Sequence, residues 1–495
     1  MIFIFFAVLI GVIYAPSLWH APRSDQLHYI ADVAQYNGDW TALALKTYDL
    51  NLSRVYAQRD TLLFRPLLYF IAGNEQYFFG YNFFFWQLAG MILFLILVWQ
   101  LYKLLDCIRP GFPAVLSSAF FAALLINIEL VTWTNTSAYM VALICLLTAL
   151  RRLYLYAEKG ERDRGHLAVV FWCFLAAVFI FEVMNFFCLL AGFYVWRNAS
   201  RQKRWKDLLP VIAPCLIYAC VSVPVLFSVS GAEKTGAAVH LFGVPGLITY
   251  TVLPLLWWVY SALFPWQFHI NLGDRTIFEI TDPLVVEFLK QNSLGIGLVG
   301  IAVLTAGWAY RRFRKTSAAS SSGGFAKLLA GMIMGFPLFL IFGRNLPGRL
   351  HLLGNHWYYH SIFWLLFLVL VYVVFWRAPG SARARKIAAG CGLVFLICVN
   401  ARMVMTSNML RAGNQTGRRE LLASAEAFVQ QNRREPDFSF FIPVGSKGNP
   451  VFLWLKQEGG LPPRPLSILE AFYPQYFRHD HAKYVLASLP ADRGF

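Results

Sequence analysis

Charge is scarce in this chain: Asp, Glu, Lys and Arg make up 14% of its 495 residues, against 58% hydrophobic ones. Soluble domains are charged at roughly a quarter of their positions, so a string of water-soluble domains is excluded. Acidic residues are the scarcest, 26 against 43 basic ones. The eight cysteines form no Cys-x-x-Cys pair and lie almost wholly in apolar blocks, which argues against a zinc site and a disulfide framework. There is no Walker A loop, and no Asp-x-Asp motif of the kind that grips a metal-diphosphate in nucleotide-sugar enzymes. The period-two alternation of an outer-membrane barrel is missing as well.

What the chain does have is long apolar blocks, among them Met91–Leu101, Ala138–Leu150, Leu167–Ile180, Val211–Val229 and Ile362–Phe375. A spanning helix needs about 20 mostly apolar residues, and lipid offers a bare backbone no hydrogen bonds, so the blocks are expected to be helices. Met1–Leu18 has neither the basic start nor the small-residue cleavage site of a signal peptide and is expected to stay as the first anchor. The formal charge of +17 sits in short links between blocks: Arg151–Arg164, Arg197–Lys206, Arg311–Lys315 and Arg377–Lys386. That distribution follows the positive-inside rule and places those links in the cytoplasm. A nucleic-acid partner, which would need the cations gathered on one face with stacking aromatics, is not expected.

With those links as pegs, the spans are expected at Met1–Leu18, Phe83–Leu105, Phe112–Ile126, Ser137–Leu155, His166–Phe181, Val183–Trp196, Leu209–Val229, Asn292–Tyr310, Phe325–Phe342, Trp357–Trp376 and Ile387–Val404. Gly243–Leu263 breaks the charge parity if it crosses. With Pro254 in its middle and Pro265 at its end, it is expected to be re-entrant or interfacial. The fold class is therefore an all-α polytopic membrane bundle of about eleven transmembrane helices over residues 1–404. A long first loop, 19–82, lies on the outer face. So does a tail, 405–495, whose helix-spaced Leu421, Leu422, Ala425 and Phe428 and short apolar runs suggest a small α/β appendage.

Candidate chemistry concentrates on the outer side. Ser24 caps an expected helix that carries Asp25, His28 and Asp32 on one face and Leu27, Ile30, Ala31 and Ala34 on the other. An ordinary amphipathic surface helix would look the same. Arg59 and Arg65 flank an apolar stretch ending at Pro66, and an arginine at a membrane surface suits bidentate binding of phosphate, although snorkelling arginines are the commoner case. Glu129 and Glu182 are carboxylates at apolar-block boundaries, where ionisable groups are functional candidates. Arg344, Arg349, His351, His356 and His360, with Trp357, Tyr358 and Tyr359, form a third outer group that an aromatic belt would also explain.

The order of these elements resembles a known family. One anchor is followed by a loop opening with Ser24-Asp25-Gln26, then Phe64-Arg65-Pro66-Leu67-Leu68-Tyr69, then Phe79-Gly80-Tyr81-Asn82 leading into a long helix. Glu129-Leu-Val-Thr-Trp133, Ser137–Tyr156 and Phe181-Glu182 come next. Over roughly residues 1–200 this is similar to the polytopic GT-C glycosyltransferases, in particular the O-mannosyltransferase-like branch. It departs from them in having Gln26 where an acidic partner of Asp25 is usual. The late Arg-Tyr element is also only loosely matched, by Arg349 and His356-Trp357-Tyr358.

The resemblance implies transfer of a sugar from a polyprenyl-phosphate carrier to a lipid, glycan or protein acceptor at the outer face, and short loops with an immediate first anchor suggest a bacterial inner membrane. On that basis Asp25 would be the general base and Glu129 its catalytic partner. Arg59, Arg65, Glu182, Arg349 and His356 would bind substrate. Asp25 and Glu129 are also the pair that would hold a divalent ion, Mg or Mn, as some members of the family do and others do not. The competing expectation is a transporter or flippase of lipid-linked sugars, which calls for ionisable residues deep in mid-helix and for paired halves.

Overall fold

The computed structural model describes residues 1–20, 65–79, 83–133, 136–198, 204–229, 323–344, 357–375 and 390–409, three short strands in the tail, and the single positions 41 and 259. The helices are α1 (Ile2–Tyr14, continued by a 3-10 turn Ala15–Trp19), α2 (Pro66–Phe79), α3 (Phe83–Ile108), α4 (Phe112–Ala123), α5 (Asn127–Thr132), α6 (Ser137–Glu158), α7 (Arg164–Ile180), α8 (Val183–Asn198), α9 (Arg204–Val229), α10 (Gly323–Arg344) and α11 (Trp357–Phe375). The last is α12 (Gly390–Met409).

This is an all-helical membrane protein in its described core. Five stretches are long and apolar enough to cross a bilayer: Ile2–Trp19, Phe84–Ile108, Ser137–Glu158, Trp205–Ser222 and Gly390–Met409. Helix α1 shows why lipid is the fitting solvent. Phe6, Ile10, Ile13 and Tyr14 are buried against the bundle, yet the opposite stripe of Ile4, Val8 and Val12 is just as apolar and lies exposed. A helix apolar all round has no face for water. The expected segments 243–263, apart from the single position 259, and 292–310, and the expected tail helix around 421–428, lie outside the described residues. In the tail, β1 (Phe441–Val444), β2 (Val451–Leu455) and β3 (Tyr484–Ala487) pair antiparallel in that order.

Hydrogen bonds sort the links between helices into two ends. At one, the Glu158 carboxylate closing α6 accepts from the Tyr194 hydroxyl of α8 (2.8 Å) and from the Phe325 amide at the start of α10 (3.3 Å). A carboxylate there also meets the positive end of the α10 dipole. This end carries the basic link 151–164 and the described ends, 197–198 and 204–206, of the next one. The Tyr372 hydroxyl, late in α11, donates to the Arg109 carbonyl (2.6 Å) in the link between α3 and α4. At the other end, α12 finishes against the first anchor. The Asn408 carbonyl pairs with the His20 ring (3.1 Å), and its side chain donates to the Ile13 carbonyl (3.4 Å).

The expected span Phe112–Ile126 does not form in one piece. Helix α4 stops at Ala123, Leu124 turns extended (ψ 129°), and the short α5 starts at Asn127. The cause is a side chain competing with the backbone: the Asn127 amide donates to the Phe121 carbonyl. The broken backbone is buried and is satisfied internally, as lipid requires. The Asn400 side chain of α12 accepts from the Leu125 amide (3.2 Å), the Gln87 side chain of α3 donates to the Thr132 carbonyl (2.9 Å), and the Thr136 hydroxyl donates to the Leu130 carbonyl (2.6 Å).

Gly90 of α3 seats α5. A Cβ at this position would stand 2.9 Å from the Val131 carbonyl oxygen, which is backbone and cannot swing aside. Gly90→Ala is expected to destabilise the bundle by about 1–3 kcal/mol, the usual cost of overpacking. A melting temperature in detergent equal to that of the parent would show that α5 has room to move.

Candidate functional site

The end opposite the basic links gathers side chains from four separate stretches around one ion pair. Arg65 immediately precedes α2, and Pro66, with its fixed φ and no amide hydrogen, suits the first helical position. Glu182 sits in the two-residue break between α7 and α8. The Arg65 guanidinium donates to both Glu182 oxygens, from Nε and Nη2 at 2.5 Å each. Its Nη1 donates to the Tyr139 hydroxyl near the start of α6. The rings of Tyr139 and Phe181 flank the guanidinium at 5.5 and 5.2 Å, and Tyr359 at the start of α11 stacks on Phe181 (6.4 Å, 17°).

Arg65 is 4% exposed and Glu182 13%. Burial by itself would weaken the arginine's hold on its proton, but Glu182, with Tyr139 and Tyr359 behind it, more than offsets this and raises the pKa above the ordinary value. Three of the five guanidinium N–H groups are engaged by Glu182 and Tyr139. The planar fork is what permits this, and a lysine could not reproduce it.

A second acid lies ten positions along. Glu75 of α2 accepts from the Ser137 hydroxyl (2.8 Å) at the first position of α6. Positions about 15 Å apart along α2 thus touch residues only about 3 Å apart in rise on α6, so α2 crosses the start of α6 instead of running beside it. Apolar surroundings push the Glu75 carboxyl up to about 8, and the Ser137 hydrogen bond counters this only in part.

Of the residues expected from sequence, Arg65 and Glu182 come together. Glu129 is in the first turn of α5, half-buried, and is the described member of the expected metal pair. Asp25, Arg59, Arg349 and His356 lie outside the described residues, as do His28 and Asp32. Among the described residues, no group of three or more His, Cys, Asp or Glu is placed to hold a metal ion. Tyr359, which an aromatic belt would put at the lipid boundary, is instead 1% exposed inside the cluster. Sequence reasoning passed over Glu75 and Tyr139. The available signal for Glu75 was Asn74-Glu75-Gln76, three polar residues inside the apolar run 66–79. For Tyr139 there was none, because a tyrosine near the start of an apolar helix is unremarkable. Compared with protein families, with characterised proteins and with solved structures, the chain matches none.

Two outcomes are expected. Removing one member of a buried pair leaves the other charge uncompensated, at about 3–5 kcal/mol. Arg65→Met and Glu182→Gln should therefore each lower the melting temperature, and the double variant should fall well short of the sum of the two. Additive losses would mean that the pair is not coupled. Glu75 gives a pH signature. In the unfolded chain it ionises near its ordinary 4.5, and in the fold near 8. The stability of its neutral form is fully present below 4.5 and is lost as pH rises through about 8. Melting from about pH 5 to about pH 9 should show the parent losing ground to Glu75→Gln. A constant difference between them would remove Glu75 as a buried acid.

Proposed function

We propose that this chain is an integral-membrane glycosyltransferase. It moves a sugar from a polyprenyl-phosphate carrier to a lipid, glycan or protein acceptor on the outer face of a bacterial inner membrane. The proposal includes about eleven spans and a small α/β tail on the outer side. One observation carries it: three of the ordered elements that resemble the GT-C enzymes meet in space. Arg65, Tyr139 and Glu182, separated by 74 and 117 positions from Arg65, form one buried hydrogen-bonded cluster. The cluster stands where the first loop rejoins the bundle. The ion pair also sits at helix ends, where a transporter of lipid-linked sugars would call for charges in mid-helix.

In this proposal Asp25 takes the proton from an acceptor hydroxyl, the hydroxyl oxygen attacks the anomeric carbon, and the bond from that carbon to the carrier phosphate oxygen breaks. The phosphate leaves with the electron pair, and Arg59 and Arg349 neutralise its growing charge. Arg65, engaged by Glu182, anchors the loop and offers its two remaining N–H groups. His356 and Glu182 complete the substrate side. A divalent ion held by Asp25 and Glu129 would add charge stabilisation at the same phosphate.

The test is transfer from a defined polyprenyl-phosphate sugar by purified protein. Losing its base should slow turnover by roughly 100- to 10,000-fold in Asp25→Asn, while Asp32→Asn changes it less. Near-normal turnover in Asp25→Asn with loss in Glu129→Gln would reassign the base. Passage of an intact carrier-linked sugar across proteoliposomes, with no sugar released, would replace the enzyme by the transporter.

A further inference from the structure

At the basic end, α7 and α9 start together and run the same way, and between them lies an open groove of about 580 Å³. Its walls are apolar, with Leu167, Phe171 and Trp172 from α7 and Leu209 from α9. Its mouth carries Arg164 and Lys206. Both cations are exposed. Of the two acids beside them, Asp207 is buried, and the exposed Asp163, next to Arg164, caps α7 by accepting from the Gly165 amide (3.0 Å). Trp172 and Leu209 are 66% and 58% exposed. From Arg164 to Trp172 the groove follows two turns of helix, about 12 Å.

Apolar walls of this kind need hydrocarbon, and a bilayer supplies it. Any lipid chain would cover Trp172 and Leu209, but only one with an anionic headgroup would also neutralise Arg164 and Lys206. Basic pockets between membrane helices on the cytoplasmic side select such headgroups. We propose that this groove binds one anionic glycerophospholipid, its phosphate between Arg164 and Lys206 and an acyl chain along Trp172 and Leu209. The site is at the opposite end of the bundle from the Arg65–Glu182 cluster and does not depend on sugar transfer.

The full chain, purified in neutral detergent, is titrated with phosphatidylglycerol and with phosphatidylcholine of the same chains, with melting temperature as the readout. At about 1 kcal/mol for each cation near a headgroup, the preference for phosphatidylglycerol is expected to be roughly thirtyfold. Arg164→Gln combined with Lys206→Gln should bring the two lipids to parity. Ala168→Trp fills the groove and leaves both cations, so it should weaken the response to both lipids even if the double variant fails to fold. Equal responses in the parent would overturn the site. So would a preference that survives the double substitution, or one that Ala168→Trp leaves unchanged. Inorganic phosphate matching the phosphatidylglycerol shift would also overturn it, since no lipid slot would be needed.

Discussion

A guanidinium removed from water has to be held by an anion, and at Arg65 this requirement organises one whole end of the bundle. The partner, Glu182, is available because α7 and α8 break for two residues between Ile180 and Val183, so that a carboxylate can stand at a helix junction without opening a helix. Tyr139 and Phe181 exclude solvent on either side. The start of α2, the start of α6, the α7–α8 junction and the start of α11 are tied together by this pair, and each element has its polar atom at a helix terminus. Charge is thereby introduced into an apolar body with few mid-helix backbone hydrogen bonds given up.

The same economy governs the break between α4 and α5. A bilayer would not tolerate the bare amides and carbonyls of residues 124–126, yet the bundle interior does, because turn bonds hold the Leu124 amide and the Leu124 and Leu125 carbonyls and Asn400 accepts from the Leu125 amide. Asn127, Gln87 and Thr136 hold the carbonyls of Phe121, Thr132 and Leu130 on either side. Four polar side chains from three helices and a loop therefore allow Glu129 to ride on a short helix of its own. Gly90 completes the arrangement by letting α3 approach the Val131 carbonyl. An unbroken helix would not have given Glu129 this separate support.

The two ends differ in chemistry. One keeps its ionisable groups engaged internally, Arg65 on Glu182 and Glu75 on Ser137. The other turns cations outward at Arg164 and Lys206, buries Asp207, and holds Glu158 on the Tyr194 hydroxyl and Asp163 on the Gly165 amide. The scarcity of acidic residues in the chain makes this possible, since nearly every described carboxylate has a structural task and the surplus positive charge is free to meet anions.

Membrane class, the helical blocks and the grouping of basic links were legible in the sequence because they depend on composition over windows of about 20 residues, where the cost of placing charge in lipid dominates. The helix boundaries expected at 83, 137, 183 and 357 coincide with those observed, since each follows polar residues in the sequence. Arg65 and Glu182 could each be picked out as an ionisable group at an apolar boundary, but nothing local in either residue said that they bind each other across 117 positions. Nor could sequence foresee that Asn127 would end α4 early, because a helix interior and a capping turn compete by energies that only Asn400, arriving from α12, settles. Asn74-Glu75-Gln76 marked a polar interruption of an apolar run but not that Glu75 would be buried on Ser137, and Tyr139 gave no signal: the weight of a polar side chain in an apolar body is set by what packs around it, and only the tertiary structure decided that.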